Sequence, residues 1–380
     1  MNPLLNILLL LGENNNLKKI GIGLIGLGMI SENHIKGYSK IKERANIVAI
    51  CDVRKDLAKK RAEELRVKNW YTNYQEMIKR EDIDAVDIMV PHHLHAKIAK
   101  DVAESGKHIF IEKPIARYVK ESREILHAAK KARIKLMVAN NLLFHPAVKK
   151  ATQLIKEGYL GKIHLAKAWS LGWFFYHVGV SKYRGSIKET GGGCFIDTGT
   201  HFVYLLRNMV GDLDNVAAFI GNILNPLHKS IDQIDFVPEG EDNAIALLKF
   251  KNSALGELTI SYSTRLEGWE MFWPVGWDQR INIYGSEGGL YLDLPRNNLS
   301  LFSEKRNIPK EVKGRSYIPL EQNFGSTFDR EVEHFVECLQ EEREFMDGVT
   351  GEDALKDIEI VEAAYISARE NKSISLPLYE

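Results

Sequence analysis

Cysteine is scarce in this 380-residue chain: there are three, Cys51, Cys194 and Cys338, and no C-x-x-C pair. That scarcity excludes a disulfide framework and a thiolate zinc site, and it fits a reducing cytoplasm. An excess of one charge is missing too. Basic and acidic residues number 51 each, so no single-sign field argues for nucleic acid or a membrane surface as partner. Long apolar runs are absent apart from residues 1–11, which are too short to span a bilayer. That segment also lacks the basic start and small-residue cleavage site of a signal peptide. Residues 1–16 therefore read as an N-terminal extension, either dispensable or an oligomer contact. Repeats and long low-complexity segments are absent as well. What remains is a globular composition, 44% hydrophobic, at a length that predicts two domains.

The densest signal is Lys18-Lys19-Ile20-Gly21-Ile22-Gly23-Leu24-Ile25-Gly26-Leu27-Gly28-Met29-Ile30-Ser31. It reads as a buried strand, a glycine turn and a helix start. That construction seats a dinucleotide's pyrophosphate on a helix N-terminus. Two registers compete. Gly21-Ile22-Gly23-Leu24-Ile25-Gly26 matches G-x-G-x-x-G but falls inside the apolar strand. Gly26-Leu27-Gly28-Met29-Ile30-Ser31 begins where the strand ends, so it is the expected phosphate turn. Gly26 permits the bend and Gly28 lets backbone approach phosphate, with Met29 and Ile30 beside them. The next strand ends in Asp52, placed to accept hydrogen bonds from the adenosine ribose and to repel a 2′-phosphate. NAD is therefore expected, with Arg54 softening the preference against NADP. The plain alternative for Asp52 is a turn residue at a strand end.

Strands and helices alternate through about residue 140. Helices are expected over 29–43, 55–66, 95–105 and 119–133, with Ile30, Ile35, Tyr38 and Ile41 on the buried side of the first. This predicts an α/β domain, a parallel sheet with helices on both faces, over residues 17–142. Beyond it, a helix at 146–158 precedes strand-like runs at 162–170, 216–220, 243–250, 256–263, 281–284 and 290–292. Helices over 328–342 and 352–370 close the chain. Residues 143–380 thus read as an α+β domain with a mostly antiparallel sheet.

Three constellations could carry chemistry. Glu112-Lys113-Pro114 ends a strand at the edge where such sheets bind ligands. Burial and an oxidised nicotinamide would favour a neutral Lys113 amine, ready to exchange a proton with a substrate hydroxyl; the alternative is a surface lysine before a proline turn. Gly191-Gly192-Gly193 leads to Asp197 and His201, four apart on one helical face. There a carboxylate would raise and orient an imidazole suited to act as a general base. A structural pair or half a metal site are the alternatives. Pro91-His92-His93-Leu94-His95 follows another strand end. Its use is expected to be packing on the nicotinamide ribose rather than metal, and no metal site is expected anywhere in the chain.

Taken in order, the glycine turn, Asp52, Pro91 to His95, Glu112-Lys113-Pro114 and Gly191 to His201 resemble the Gfo/Idh/MocA family (glucose–fructose oxidoreductase, inositol dehydrogenase, rhizopine catabolism). The resemblance runs from Lys18 onward. It implies a Rossmann domain and a C-terminal domain with an open sheet whose exposed face builds homodimers or homotetramers. By motif it implies a catalytic trio of Lys113, Asp197 and His201. It also implies a cofactor or substrate contact at Arg184, which follows Tyr183. One departure is visible: relatives carry arginine-phenylalanine before the proline where this chain has Leu142-Leu143-Phe144-His145-Pro146.

The expected activity is NAD(P)-dependent oxidation of a secondary hydroxyl of a sugar, sugar derivative or cyclitol. His201 would take the proton while Lys113 holds the oxygen, with Lys113, Arg184, Asp197 and His201 contacting substrate. The sequence leaves open which of Lys113 and His201 is the formal base. The resemblance also admits a glycosidase that oxidises and re-reduces its sugar, or a non-catalytic sensor of NAD and sugar.

Overall fold

The computed structural model describes residues 18–173, 182–223, 237–266, 277–304, 316–320 and 325–379. The extension expected at 1–16 lies outside them. Six parallel strands form the first sheet: β1 (Ile20–Ile25), β2 (Ala45–Cys51), β3 (Asn69–Tyr71), β4 (Ala85–Ile88), β5 (His108–Glu112) and β6 (Leu136–Ala139). Their order is β3-β2-β1-β4-β5-β6, the doubly wound arrangement, with the strand order reversing between β1 and β4. Between them run α1 (Ser31–Lys40), α2 (Lys55–Leu65), the single turn α3 (Tyr74–Met77), α4 (His92–Glu104) and α5 (Val119–Ala132). All six residues of β1 are buried, as a central parallel strand requires.

One helix boundary and one buried face differ from expectation for identifiable reasons. The helix expected to start at His95 starts at His92, because Pro91 adopts an extended conformation (φ −57°, ψ 145°) and forms its N-cap. On α1 the buried residues are Ser31, His34, Gly37 and Tyr38, while Ile30 and Ile35 are only partly covered. The stripe is rotated because a later helix presses on Gly37: a Cβ there would meet Val332 at 3.0 Å.

The chain continues through a 3₁₀ turn (Asn141–Phe144), α6 (Pro146–Lys156), β7 (Ile163–Leu171), the one-turn α7 (Ile187–Thr190), a π-helical turn (Phe195–Gly199) and α8 (Thr200–Val210). Then come β8 (Leu213–Gly221), β9 (Asn243–Phe250), β10 (Leu255–Ser261), β11 (Asp278–Gly285), β12 (Gly288–Asp293), β13 (Asn298–Ser303) and β14 (Ser316–Tyr317). The chain closes with α9 (Thr327–Gln340), α10 (Gly351–Glu370) and β15 (Ile374–Ser375). The second sheet has nine strands, ordered β14-β13-β12-β11-β7-β10-β9-β8-β15. Within it β7 and β10 pair in parallel and the remaining neighbours run antiparallel. Strands β13, β14 and β15 had not been expected.

Helices α6, α8 and α10 pack on one face of this sheet. The other face is open: Phe219, Ile245, Leu247 and Leu255 are exposed. The last two helices return to the first sheet. Helix α9 packs on α1, and α10 packs on α5 and β6. Thr350 bridges to Met137, and one apolar core runs from β1 and α1 through to the second sheet.

Candidate active site

The phosphate turn is built by steric exclusion. Gly26 has φ +91°, and a Cβ there would lie 2.2 Å from the Met89 carbonyl oxygen. Gly21, within β1, would collide with the Asp82 carbonyl at 2.0 Å, so the earlier glycines serve sheet packing. Gly28 differs: a Cβ there would meet nothing within 4 Å. Its missing side chain leaves open space above the start of α1, and Met29 beside it is 59% exposed. That cradle fits a pyrophosphate approaching backbone N–H groups.

Asp52 is buried and fully engaged. Its Oδ2 accepts the Leu27 N–H at 2.9 Å and Arg54 Nη2 at 3.1 Å; its Oδ1 accepts the Arg54 N–H at 2.9 Å and Nε at 3.0 Å. Burial works to raise this carboxyl, but Arg54 and the Leu27 amide hold it below its usual value. It therefore stays an anion at the end of β2, and Arg54, largely exposed, lies over it.

Strand β5 delivers Lys113 to the same edge. Lys113 Nζ donates to Asp197 Oδ1 at 3.0 Å and to the Asp197 carbonyl at 2.8 Å. Asp197 sits in the π-helical turn, a form found often at functional sites. Its Oδ2 accepts from Arg184 Nη1 and from the Tyr262 hydroxyl, the latter at 2.9 Å. Burial would push this carboxyl up, but the Arg184 and Lys113 cations hold it well below the usual range.

His201 was expected to rest against Asp197. Instead its Nδ1 lies 2.7 Å from the Tyr204 hydroxyl, which also accepts the Leu142 N–H at 3.2 Å. Asp197 is engaged by two cations and a phenol, and the ring turns to Tyr204 instead. The expected rise in the imidazole's pKa is reversed. Burial drives it well down, the charges of Lys113 and Arg184 add to this, and Asp197 only opposes them. The ring is neutral at neutral pH and senses all three charged groups.

The histidines after β4 act as braces. His95 is wholly buried, with Nδ1 2.9 Å from the Pro114 carbonyl and Nε2 2.8 Å from that of Val90. Burial lowers this ring's pKa, so it is neutral and its single N–H donates to one of the two carbonyls, bracing the ends of β4 and β5. His92 lies 3.2 Å from the Thr190 carbonyl and packs edge-on against Tyr183. Burial, with His95 beside it, lowers it to about 3. Among the described residues no group of three His, Cys, Asp or Glu is arranged to hold a metal ion.

The glycine run answers to the protein rather than to a ligand. A Cβ at Gly192 would lie 2.0 Å from the Tyr365 hydroxyl and one at Gly193 2.1 Å from the Glu241 carbonyl. Buried Glu241 accepts the N–H groups of Gly193 and Phe195 at 2.8 Å each, and the Tyr365 hydroxyl at 2.8 Å. The departure at Leu142 to His145 is equally structural. Leu142, Leu143 and Phe144 are core, and His145 caps α6 through the Ala147 N–H at 3.2 Å.

Residues 20–140 match the model of an oxidoreductase family with an NAD-binding Rossmann fold, and residues 152–376 match that family's C-terminal α/β domain. The chain belongs to the Gfo/Idh/MocA family. It is an NAD-binding oxidoreductase, and its parallel sheet with a mostly antiparallel second sheet is that family's fold. A levoglucosan dehydrogenase of Pseudarthrobacter phenanthrenivorans is 30% identical over 304 residues, covering 74% of this chain and 75% of the relative. The NAD⁺-dependent scyllo-inositol 2-dehydrogenase of Bacillus subtilis is 26% identical over 368 residues, covering 94% and 96%. A solved levoglucosan dehydrogenase in complex with NADH and levoglucosan shares the fold, with TM-score 0.83 at 24% identity, covering 95% of this chain and 100% of that one.

Sequence reasoning missed Tyr204, Tyr262 and Glu241. Tyr204 lies three residues after His201, on the same helical face, which is a usable signal. Tyr262 and Glu241 come from distant strands and loops, and no local pattern marks them.

Proposed function

We propose that this oxidoreductase removes hydrogen from a secondary hydroxyl of a sugar, sugar derivative or cyclitol, with Lys113, Asp197 and His201 as its working groups. The reading is carried by the Lys113–Asp197 contact at the ligand-binding edge of β5, with neutral His201 in the same field. Support for a polyol comes from the relatives, whose names include inositol, levoglucosan and apiose dehydrogenases.

Bound NAD would accept the hydride. Gly26 and Gly28 would seat its phosphates, Met29 and Ile30 would flank them, and Asp52 would take the adenosine ribose once the exposed Arg54 side chain swings off it. Pro91, His92 and Glu112 border the nicotinamide end. Lys113 holds the substrate oxygen and stabilises charge developing on it. His201 accepts the hydroxyl proton when Tyr204 receives the hydrogen on its Nδ1, which leaves Nε2 as the free acceptor. Asp197 keeps Lys113 and Arg184 in place, and Arg184 reaches toward the substrate. A hydroxyl-rich substrate suits such a site, since each donor and acceptor gains a partner. NADP would be met by Arg54, which can turn from Asp52 to a 2′-phosphate.

The open face of the second sheet supports a homodimer or homotetramer, because an exposed stripe of Phe219, Ile245, Leu247 and Leu255 favours burial against a second copy. The three unpaired cysteines support residence in the cytoplasm. The functional test is a panel of inositols, sugars and anhydrosugars assayed with NAD and NADP for formation of reduced nicotinamide. No reduction with any member rejects the dehydrogenase reading.

A further inference from the structure

Beneath the glycine turn lies a buried cluster that this chemistry leaves unused. His34, on α1, is inaccessible to solvent. Its Nδ1 is 2.8 Å from Asp87 Oδ2 on β4, and its Nε2 is 3.0 Å from Glu112 Oε1 at the end of β5. A neutral imidazole has one donor and one acceptor nitrogen, whereas ionised carboxylates only accept. Two carboxylate partners call for an imidazolium that donates on both sides. Burial opposes that charge, yet Asp87 and Glu112 raise the ring's pKa well above its ordinary value. Burial also works to raise Asp87, and the charge and hydrogen bond of His34 oppose it.

The surroundings reinforce the arrangement. Tyr38 donates its hydroxyl to the same Asp87 oxygen at 3.2 Å. Phe110 of β5 stacks on the ring at 5.1 Å between centroids, and Phe328 of α9 flanks it at 6.0 Å. Glu331 of α9 is fully buried, with Oε1 3.8 Å from His34 Nε2. Neither of its oxygens has a hydrogen-bond partner among the described residues, and burial pushes its carboxyl well up. The second oxygen of Glu112 accepts the Lys113 N–H at 3.1 Å.

We propose that His34 is a positioning residue for Lys113. Its imidazolium pins the Glu112 carboxylate, Glu112 pins the Lys113 backbone, and the amine is thereby held at the angle that meets Asp197 and substrate. The same ring joins the helix that leaves the phosphate turn to α9 from the far end of the chain. The role rests on Lys113 being the catalytic amine.

Nitrogen NMR of histidine-labelled protein reads the ring without substrate. Both nitrogens of His34, assigned by their loss in His34→Gln, should be protonated at pH 8; a neutral ring overturns the proposal. In kinetics, Asn places its amide near the Nδ1 position and Gln near Nε2. His34→Asn should lower kcat about ten- to a hundredfold, as misplaced catalytic groups do, with KM for NAD changed by less than about threefold. His34→Gln, whose amide can still reach Glu112, should recover most of the loss. A kcat in His34→Asn within twofold of the parent, or equal losses in both variants, overturns the role. If His34→Asn does not fold, the NMR result decides. Turnover retained in Lys113→Ala rejects the catalytic reading itself; turnover lost there beside an unaffected His34→Asn rejects only the part given to His34.

Discussion

Lys113 grips Asp197 twice, through the carboxylate at 3.0 Å and through the main-chain carbonyl at 2.8 Å. One side chain from the first sheet thus fixes both the side chain and the backbone of a turn belonging to the second. Lys113→Ala should lower turnover by about two to four powers of ten while NAD still binds. Asp197→Ala should also cost stability, about 3 kcal/mol, because it strands two poorly solvated cations. Steady-state kinetics, NAD titration and denaturant unfolding check the three parts.

Tyr204 sets the His201 ring, so its hydroxyl should matter to rate more than to binding. Tyr204→Phe is expected to lower kcat about tenfold, the loss of one hydrogen bond to a catalytic ring, with KM for NAD unchanged. No loss of kcat, or a raised KM for NAD in its place, would argue against this orientation.

The two turn glycines should separate folding from binding. Gly26→Ala collides with the Met89 carbonyl and needs φ +91°, so its melting temperature should drop. Gly28→Ala has open space and should melt like the parent, yet bind NAD weakly. Asp52→Ala should raise KM for NAD about thirtyfold, the worth of a charged hydrogen bond near 2 kcal/mol, and narrow the gap to NADP.

Acid should destabilise the protein before its carboxylates titrate. His92 at about 3, His145 at about 4 and His334 at about 4 are all held down chiefly by burial, and His201 is lowered likewise. Below pH 6.5 the unfolded chain binds protons that these folded rings refuse, so stability falls as pH drops, by about 1.4 kcal/mol per pH unit for each ring. The lowered Asp197 contributes stability that is present above about pH 4 and lost as pH falls further. His34, raised instead, contributes stability that is lost as pH rises through its folded value. Melting temperature measured from pH 4 to 9 tests both limbs.

Leu247→Glu on the open face should turn an oligomer into a smaller species with its melting curve little changed, as sedimentation would show. An unchanged mass would move the contact elsewhere.

Much of this was legible from local pattern. Ile20 to Ile25 and Ala85 to Ile88 are apolar runs that a parallel sheet buries, and Gly26 falls where β1 must turn. Lys113 stood out at a strand end and Asp197 by its spacing from His201, and the family resemblance grouped the three; the contact between Lys113 and Asp197 was not foreseen. The partners of these residues were not legible. Asp197 could be expected to serve His201 only while Arg184 and Tyr262 were unseen, because the competition for its oxygens is three-dimensional. The glycines at 192 and 193 admit Glu241 and Tyr365, neighbours that the local sequence does not name. His34 gave no sign, since one histidine on a helix looks the same in sequence whether it faces water or three carboxyl groups.

The return of α9 and α10 to the first sheet sets an order for biosynthesis. When residue 142 leaves the ribosome, the nucleotide fold has all its strands, but the surface of α1 around Gly37 and the edge at Met137 are still bare. The polypeptide that covers them emerges some two hundred residues later. A fragment ending after β6 should therefore be sticky and short-lived in cells, and a nascent chain should depend on chaperones until its last helices arrive.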